Sequence, residues 1–216
     1  MPRSLVFLIA TVLMALPNAN AAIINLFNTG VNAVGAPLND NTVDPHYAIT
    51  YVNGATTAPA YVATAAGGYP IGPWLGDNTT SAWITPAIDT NGGTNWVYRY
   101  TTTFDLTGLN PLTAVISGRW AGDDGGGASN IFLNGVATGQ PVAGFTSWTN
   151  FTLNSGFIAG VNTLSFQVQN SGGGPTGVRV EMSGTATANA IPDGGSVLLL
   201  LGLLLVAGSI APRTRR

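Results

Sequence analysis

From residue 96 onward, apolar side chains recur at every second position, and within the 216 residues this period is what most restricts the chain to extended structure. Trp96, Tyr98, Tyr100, Thr102 and Phe104 alternate with Val97, Arg99, Thr101 and Thr103, which gives a strand with one aromatic face. Leu164, Phe166 and Val168 alternate with Ser165, Gln167 and Gln169; Val178, Val180 and Met182 alternate with Arg179 and Glu181. Shorter apolar runs at 23–27, 47–52, 61–64, 112–120, 131–133 and 148–153 are bounded by turn residues. Asn53-Gly54 and Asn134-Gly135 are tight-turn signals, and Pro59, Pro70 and Pro73 confine their neighbourhoods to edges or loops. No amphipathic helical stripe interrupts the pattern. The expected fold is all-β: an antiparallel, jelly-roll-like β-sandwich over residues 22–190.

The flanking segments have a different chemistry. Residues 1–21 read as a secretory signal peptide, with Arg3 as the basic region, an apolar stretch at 5–16, and Ala19-Asn20-Ala21 as a small-x-small cleavage site. Signal peptidase and the general secretion machinery would then leave a chain starting at Ala22. Residues 191–216 place Ile191-Pro192-Asp193-Gly194-Gly195 before an apolar run at 197–211, and end in Arg213-Thr214-Arg215-Arg216. As a helix the run reaches about 23 Å, barely a thin hydrocarbon core. Arg213, Arg215 and Arg216 would form its cytoplasmic stop. A buried core helix is the alternative for a run of this length, but this one is apolar on every face. Pro192 holds Ile191 extended, while Gly194 and Gly195 leave the backbone unhindered, so the segment can enter a protease cleft with Asp193 as its recognisable charge. The other reading of it is a flexible juxtamembrane linker.

Short motif, apolar segment and basic end in this order resemble the PEP-CTERM class of bacterial sorting signals. Ile191-Pro192-Asp193-Gly194-Gly195 is similar to the variant Val-Pro-Asp-Ser-Gly, with Ile191 for the valine and Gly194 for the serine. The resemblance implies an exosortase-type membrane protease as partner and an inner-membrane intermediate held by the apolar helix. It also implies a destination at the cell surface or in the extracellular matrix of bacteria that make exopolysaccharide. The alternative is a permanently anchored single-span envelope protein.

The absence of cysteine excludes a disulfide framework, a thiol nucleophile and thiolate metal sites. Over residues 22–191 Arg99, Arg119 and Arg179 stand against Asp40, Asp44, Asp77, Asp89, Asp105, Asp123, Asp124 and Glu181, three cations against eight anions for a net charge of −5. A basic footprint for nucleic acid is therefore missing. The single histidine, His46, follows Pro45 and reads as a loop residue, and no Gly-x-Ser-x-Gly elbow is present. No residue is assigned a catalytic role and the expected protein is non-catalytic. A glycoside-active enzyme stays open as an alternative, because two carboxyls meeting across a cleft cannot be read from spacing. Arg179 and Glu181 share a strand face and are expected to form a weak surface pair.

Two features invite a ligand. The stretch 122–127, Gly-Asp-Asp-Gly-Gly-Gly, offers Asp123 and Asp124, with loop carbonyls and Asn130, as hard oxygen donors to calcium; its other reading is a solvated glycine-rich turn. Trp74, in a loop between Pro73 and Leu75, and Trp120, beside the acidic turn, are candidate stacking faces for a pyranose ring. "WVYRYTTTF" at 96–104, "IFLNG" at 131–135, "AGVNTL" at 159–164 and "VQN" at 168–170 are similar to the galactose-binding-type jelly roll that accompanies many glycoside hydrolases. That resemblance implies the sandwich fold, while the carbohydrate reading, with exopolysaccharide as the partner, rests on Trp74 and Trp120. In structural terms, 134–135 and 160–162 are turns between core-filling strands.

Overall fold

The computed structural model describes residues 20–51, 53 and 57–189. The signal-peptide stretch up to residue 19 and the whole of 191–216, including Ile191, Pro192, Asp193, Gly194, Gly195, Arg213, Arg215 and Arg216, lie outside these residues. Ala21–Ala188 form one compact unit.

Thirteen strands run through the described residues: β1 (Ala21–Ile23), β2 (Val43–Tyr51), β3 (Thr57–Ala63), β4 (Trp83–Thr85), β5 (Asn91–Gly92), β6 (Trp96–Asp105), β7 (Val115–Asp123), β8 (Asn130–Leu133), β9 (Val136–Ala137), β10 (Thr149–Leu153), β11 (Val161–Asn170), β12 (Gly174–Pro175) and β13 (Gly177–Thr187). Eleven of them form one antiparallel sheet in the order β10-β7-β13-β4-β3-β2-β6-β11-β8-β9, with β1 against β13; β5 and β12 pair separately. Two 3-10 turns, Ala65–Gly67 and Pro111–Thr113, are the helical elements among the described residues, and no helix there is long and apolar enough to cross a membrane. The all-β expectation holds.

The sheet curls, and β3 lies between β2 and β4 within it. Its residues 57–59 and Tyr61 pair with β2 and residues 61–63 with β4, and the β2 ladder has a register break between Val43 and Ala48. Pro59 precedes the part of β3 that pairs with β4, so its missing N–H is not demanded by a second ladder. The curl brings β7 and β13 over β6 and β11. Tyr98, Tyr100, Thr102 and Phe104 point into the space between, as their alternation predicts. Trp120 of β7 stands 5.5 Å from Phe166 of β11, and Phe166 meets Phe151 of β10 at 5.7 Å. Ile116, Val178, Val180, Ile84 and Val168 fill the same core, each stabilising the fold by roughly 1.5–3 kcal/mol.

The other faces of β6 and β11 are joined by cross-strand polar pairs. The Thr101 and Ser165 hydroxyls lie 3.0 Å apart, and the Arg99 guanidinium donates to Gln167 Oε1 at 2.7 Å while covering the Phe132 ring. Gln167 is buried as a result, where alternation alone places it toward solvent.

The edge at β10 is closed by a side chain. Gln140 Nε2 donates to Thr152 O and Gln140 Oε1 accepts from Thr152 N, both at 3.1 Å, so one amide occupies the main-chain groups that a further strand would use.

Of the two Asn-Gly signals, Asn134-Gly135 lies wholly among the described residues. Leu133 pairs with Val136 across Asn134-Gly135, whose φ values of 50° and 81° make a two-residue turn with both central residues left-handed. Asn53-Gly54 belongs to a connection of which residues 52 and 54–56 lie outside the described residues. The segment 160–162 divides: Gly160 turns, whereas Val161 and Asn162 already belong to β11. Asn134 also donates to Gly156 O and Asn162 Oδ1 and accepts from Thr163 N, each at 2.9 Å. Asn134→Ala should therefore lower stability by about 2 kcal/mol in urea unfolding, through three lost bonds and a left-handed alanine.

Candidate functional site

On β7 and β13 every second side chain faces away from the core, and the register sets Arg119 beside Glu181, Ala121 beside Arg179 and Asp123 beside Gly177. The chain between β3 and β4 lies across this outer face. Arg179 holds it there: Nε donates to Ser81 Oγ at 2.8 Å, Nη2 to Ser81 O at 2.9 Å and Nη1 to Gly76 O at 2.6 Å. Trp83 Nε1 adds a bond to Leu75 O at 2.9 Å, and Asp77 accepts from Ala65 N.

The expected surface pair of Arg179 with Glu181 is thus corrected. Arg179 is 0% exposed, and burial depresses its pKa. Glu181 instead accepts from Arg119 Nη2 at 2.6 Å and Nε at 2.8 Å, and from Asn78 and the Ser81 hydroxyl at 2.8 Å. Burial works against the charge of Glu181, but these donors hold its pKa below the usual range. Alternation had assigned both residues to the correct face; what it cannot show is that the face is covered. Trp148 completes the cover, with the Arg119 guanidinium 4.5 Å and that of Arg179 5.2 Å from its ring.

Trp74 lies at the far end of this layer. Its ring is buried against Trp83 at 4.5 Å, Tyr69 at 5.6 Å and Phe145 at 6.1 Å, and its indole favours the charged form of Asp123. Trp120 is 0% exposed and lies on the opposite, core-facing side of β7. Neither ring offers an open face to a sugar, since a loop position and a neighbouring acidic turn both fail to report what packs on top. Trp96, at 47%, is the tryptophan with substantial exposed surface, and it rests on the Gly93 backbone, where a Cβ would come within 2.5 Å of the indole.

Trp120 Nε1 has no hydrogen-bond partner among the described residues. Trp120→Phe should therefore cost less than about 1.5 kcal/mol, whereas Trp120→Ala should cost about 3–5 kcal/mol, both read from urea midpoints.

Asp123 and Asp124 are adjacent at the end of β7, and their carboxyls are electrostatically coupled. Burial, reinforced by the bond to Asp124 and its charge, pushes Asp123 up to about 8, so at neutral pH it carries a proton. Burial opposes ionisation of Asp124 as well, but bonds from Asp123 and from the Ser171 and Gly172 amides hold it below the ordinary aspartate value. The Asp123 carbonyl accepts from the buried Thr176 hydroxyl. Asn130 points elsewhere, its Oδ1 accepting from Gln140 N at 3.1 Å. Among the described residues no three His, Cys, Asp or Glu side chains gather as a metal-binding group. One ionised carboxylate already engaged by amides is a poor start toward the six to eight oxygens calcium takes. The melting temperature at pH 7 is therefore expected to be the same in millimolar calcium and in EDTA.

As chemistry, the pair can share and exchange one proton. Glu181 is engaged by Arg119. His46 lies in β2 rather than in a loop, its ring stacked on Phe27 at 3.5 Å. Beside Arg119 and Glu181 an open groove of about 320 Å³ is lined by Asn28, Ser117, Asn150 and Ser183. No protein-family model matches the chain, and no curated protein does.

Proposed function

We propose that this is an exported, non-catalytic bacterial surface or matrix protein, a jelly-roll-like sandwich delivered by the tail at 191–216. Exosortase-type recognition of Ile191-Pro192-Asp193-Gly194-Gly195 follows insertion of 197–211, with Arg213, Arg215 and Arg216 stopping on the cytoplasmic side. The order of motif, apolar run and arginines carries the reading. One further observation supports it: the compact unit ends at Ala188, before the motif begins. The test is deletion of 191–216 in the producing cell, followed by fractionation. The truncated chain should be secreted without a membrane intermediate; unchanged surface display in the same amount would refute the proposal.

The exposed Trp96 favours a second activity for the sandwich, contact with exopolysaccharide. A pyranose ring would stack on its indole, and Trp96→Ala should lower polysaccharide retention about tenfold while leaving the urea midpoint within about 1 kcal/mol. Equal retention would remove the carbohydrate role and leave the sorting role untouched.

A further inference from the structure

We infer that the end of the sheet where β13 finishes is a surface that touches the lipid bilayer, an inference that rests on membrane insertion of 197–211. Several turns meet there. Asn110 N donates to Thr187 O, the Thr113 and Thr187 hydroxyls lie 2.8 Å apart, Leu109 bridges Ala188, and Leu106 N reaches Gly160 O. Ile23 and Val115 flank Thr185 from its two sides.

This end of the sheet carries apolar side chains into solvent. Leu112 is 89% exposed, Ile23 84%, Val161 63% and Ile158 52%. A folded domain has no internal use for four such side chains around one end, and burying each against lipid removes apolar area from water. Asp105, paired with Val161, is the charge beside them. The three described arginines are engaged elsewhere, Arg99 with Gln167, Arg119 with Glu181 and Arg179 with Ser81. Contact is therefore apolar, independent of anionic lipid and insensitive to salt.

The length of the chain beyond this end selects the occupant. Eight residues, 189–196, separate Ala188 from the apolar run, a reach of at most about 28 Å when fully extended. A tether that short keeps this end of the sheet at high local concentration over the bilayer, so weak apolar contacts suffice.

The chain has no cysteine, so single-cysteine labelling needs no background removal. Leu112→Cys, Ile158→Cys and Ile88→Cys variants of the full chain would each carry an environment-sensitive fluorophore and be reconstituted in phosphatidylcholine vesicles with a spin-labelled lipid quencher. Ile88 is also exposed but lies near Thr90, which bonds Thr176 at the start of β13. Quenching at 112 and 158 should exceed that at 88 by at least about twofold, unchanged in 0.5 M salt, a concentration at which the screening length is only about 4 Å. Equal quenching at the three sites in a chain that floats with the vesicles overturns the inference alone. Failure to float overturns the insertion reading and this inference with it. Disulfide-linked dimers of the unlabelled Leu112→Cys variant, without lipid quenching of its labelled form, would instead assign the surface to a second copy, against the inference.

Discussion

Arg179→Ala is expected to remove about 3–5 kcal/mol of stability, most of what a domain of this size possesses. The side chain is fully buried, and its three nitrogens serve Ser81 Oγ, Ser81 O and Gly76 O. Truncation leaves two carbonyls without donors, empties the space under Trp148, and weakens the Ser81 bond to Glu181. The loss should fall first on the chain between β3 and β4, so Trp74 and Trp83 would lose their near-ultraviolet signature before the sheet unfolds. Arg179→Lys keeps a charge but not the planar fork, and is expected to recover less than half of the loss. A urea midpoint for Arg179→Ala within about 1 kcal/mol of the parent would mean that the guanidinium merely fills space.

Stability should fall as pH rises from about 4 to 8. Asp123 sets the sign. Its folded pKa lies at about 8 against an ordinary 3.8, so between those values the native state holds a proton that the unfolded state has released. The stabilisation is whole below the unfolded value and is lost as pH climbs through the folded one. Asp124 behaves oppositely: with its pKa depressed, it contributes above the ordinary aspartate range and loses that contribution in acid. The optimum is therefore mildly acidic. Asp44, also raised by burial, adds a slope of the same sign, so the informative quantity is the difference between the parent and Asp123→Asn. Asp123→Asn keeps the shape and a donor for Asp124, and should flatten the pH dependence measured by urea unfolding at pH 5, 6, 7 and 8. A parent slope that is flat or rising across that series would mean that Asp123 is ionised in the fold.

Alternation made the strands legible. Tyr98, Tyr100 and Phe104 are buried on one face of β6 and Val178 and Val180 on one face of β13, because period two reports the pleat directly. Asn134-Gly135 was legible because a two-residue hairpin turn needs two left-handed residues and few dipeptides supply them. The strand order was not, since β7 pairs with β13 and β6 with β11 across long stretches of chain and no local pattern marks such pairings. The outer layer was hidden for a related reason. Arg179 on the non-core face of a strand looks solvated until the 64–82 segment is known to fold over it, and that depends on Ser81 and Gly76, about a hundred residues away. The same layer buries Trp74 against Trp83. The nearest signal in the sequence was the density of aromatic residues between Tyr69 and Trp83, followed by Phe145 and Trp148.

The most direct test of the sorting proposal is the intact mass of the protein recovered from the surface and medium of the producing cell. A chain that begins at Ala22 and stops within or just before Ile191-Pro192-Asp193-Gly194-Gly195 is predicted. Recovery of surface protein that still carries Arg213, Arg215 and Arg216 would contradict it.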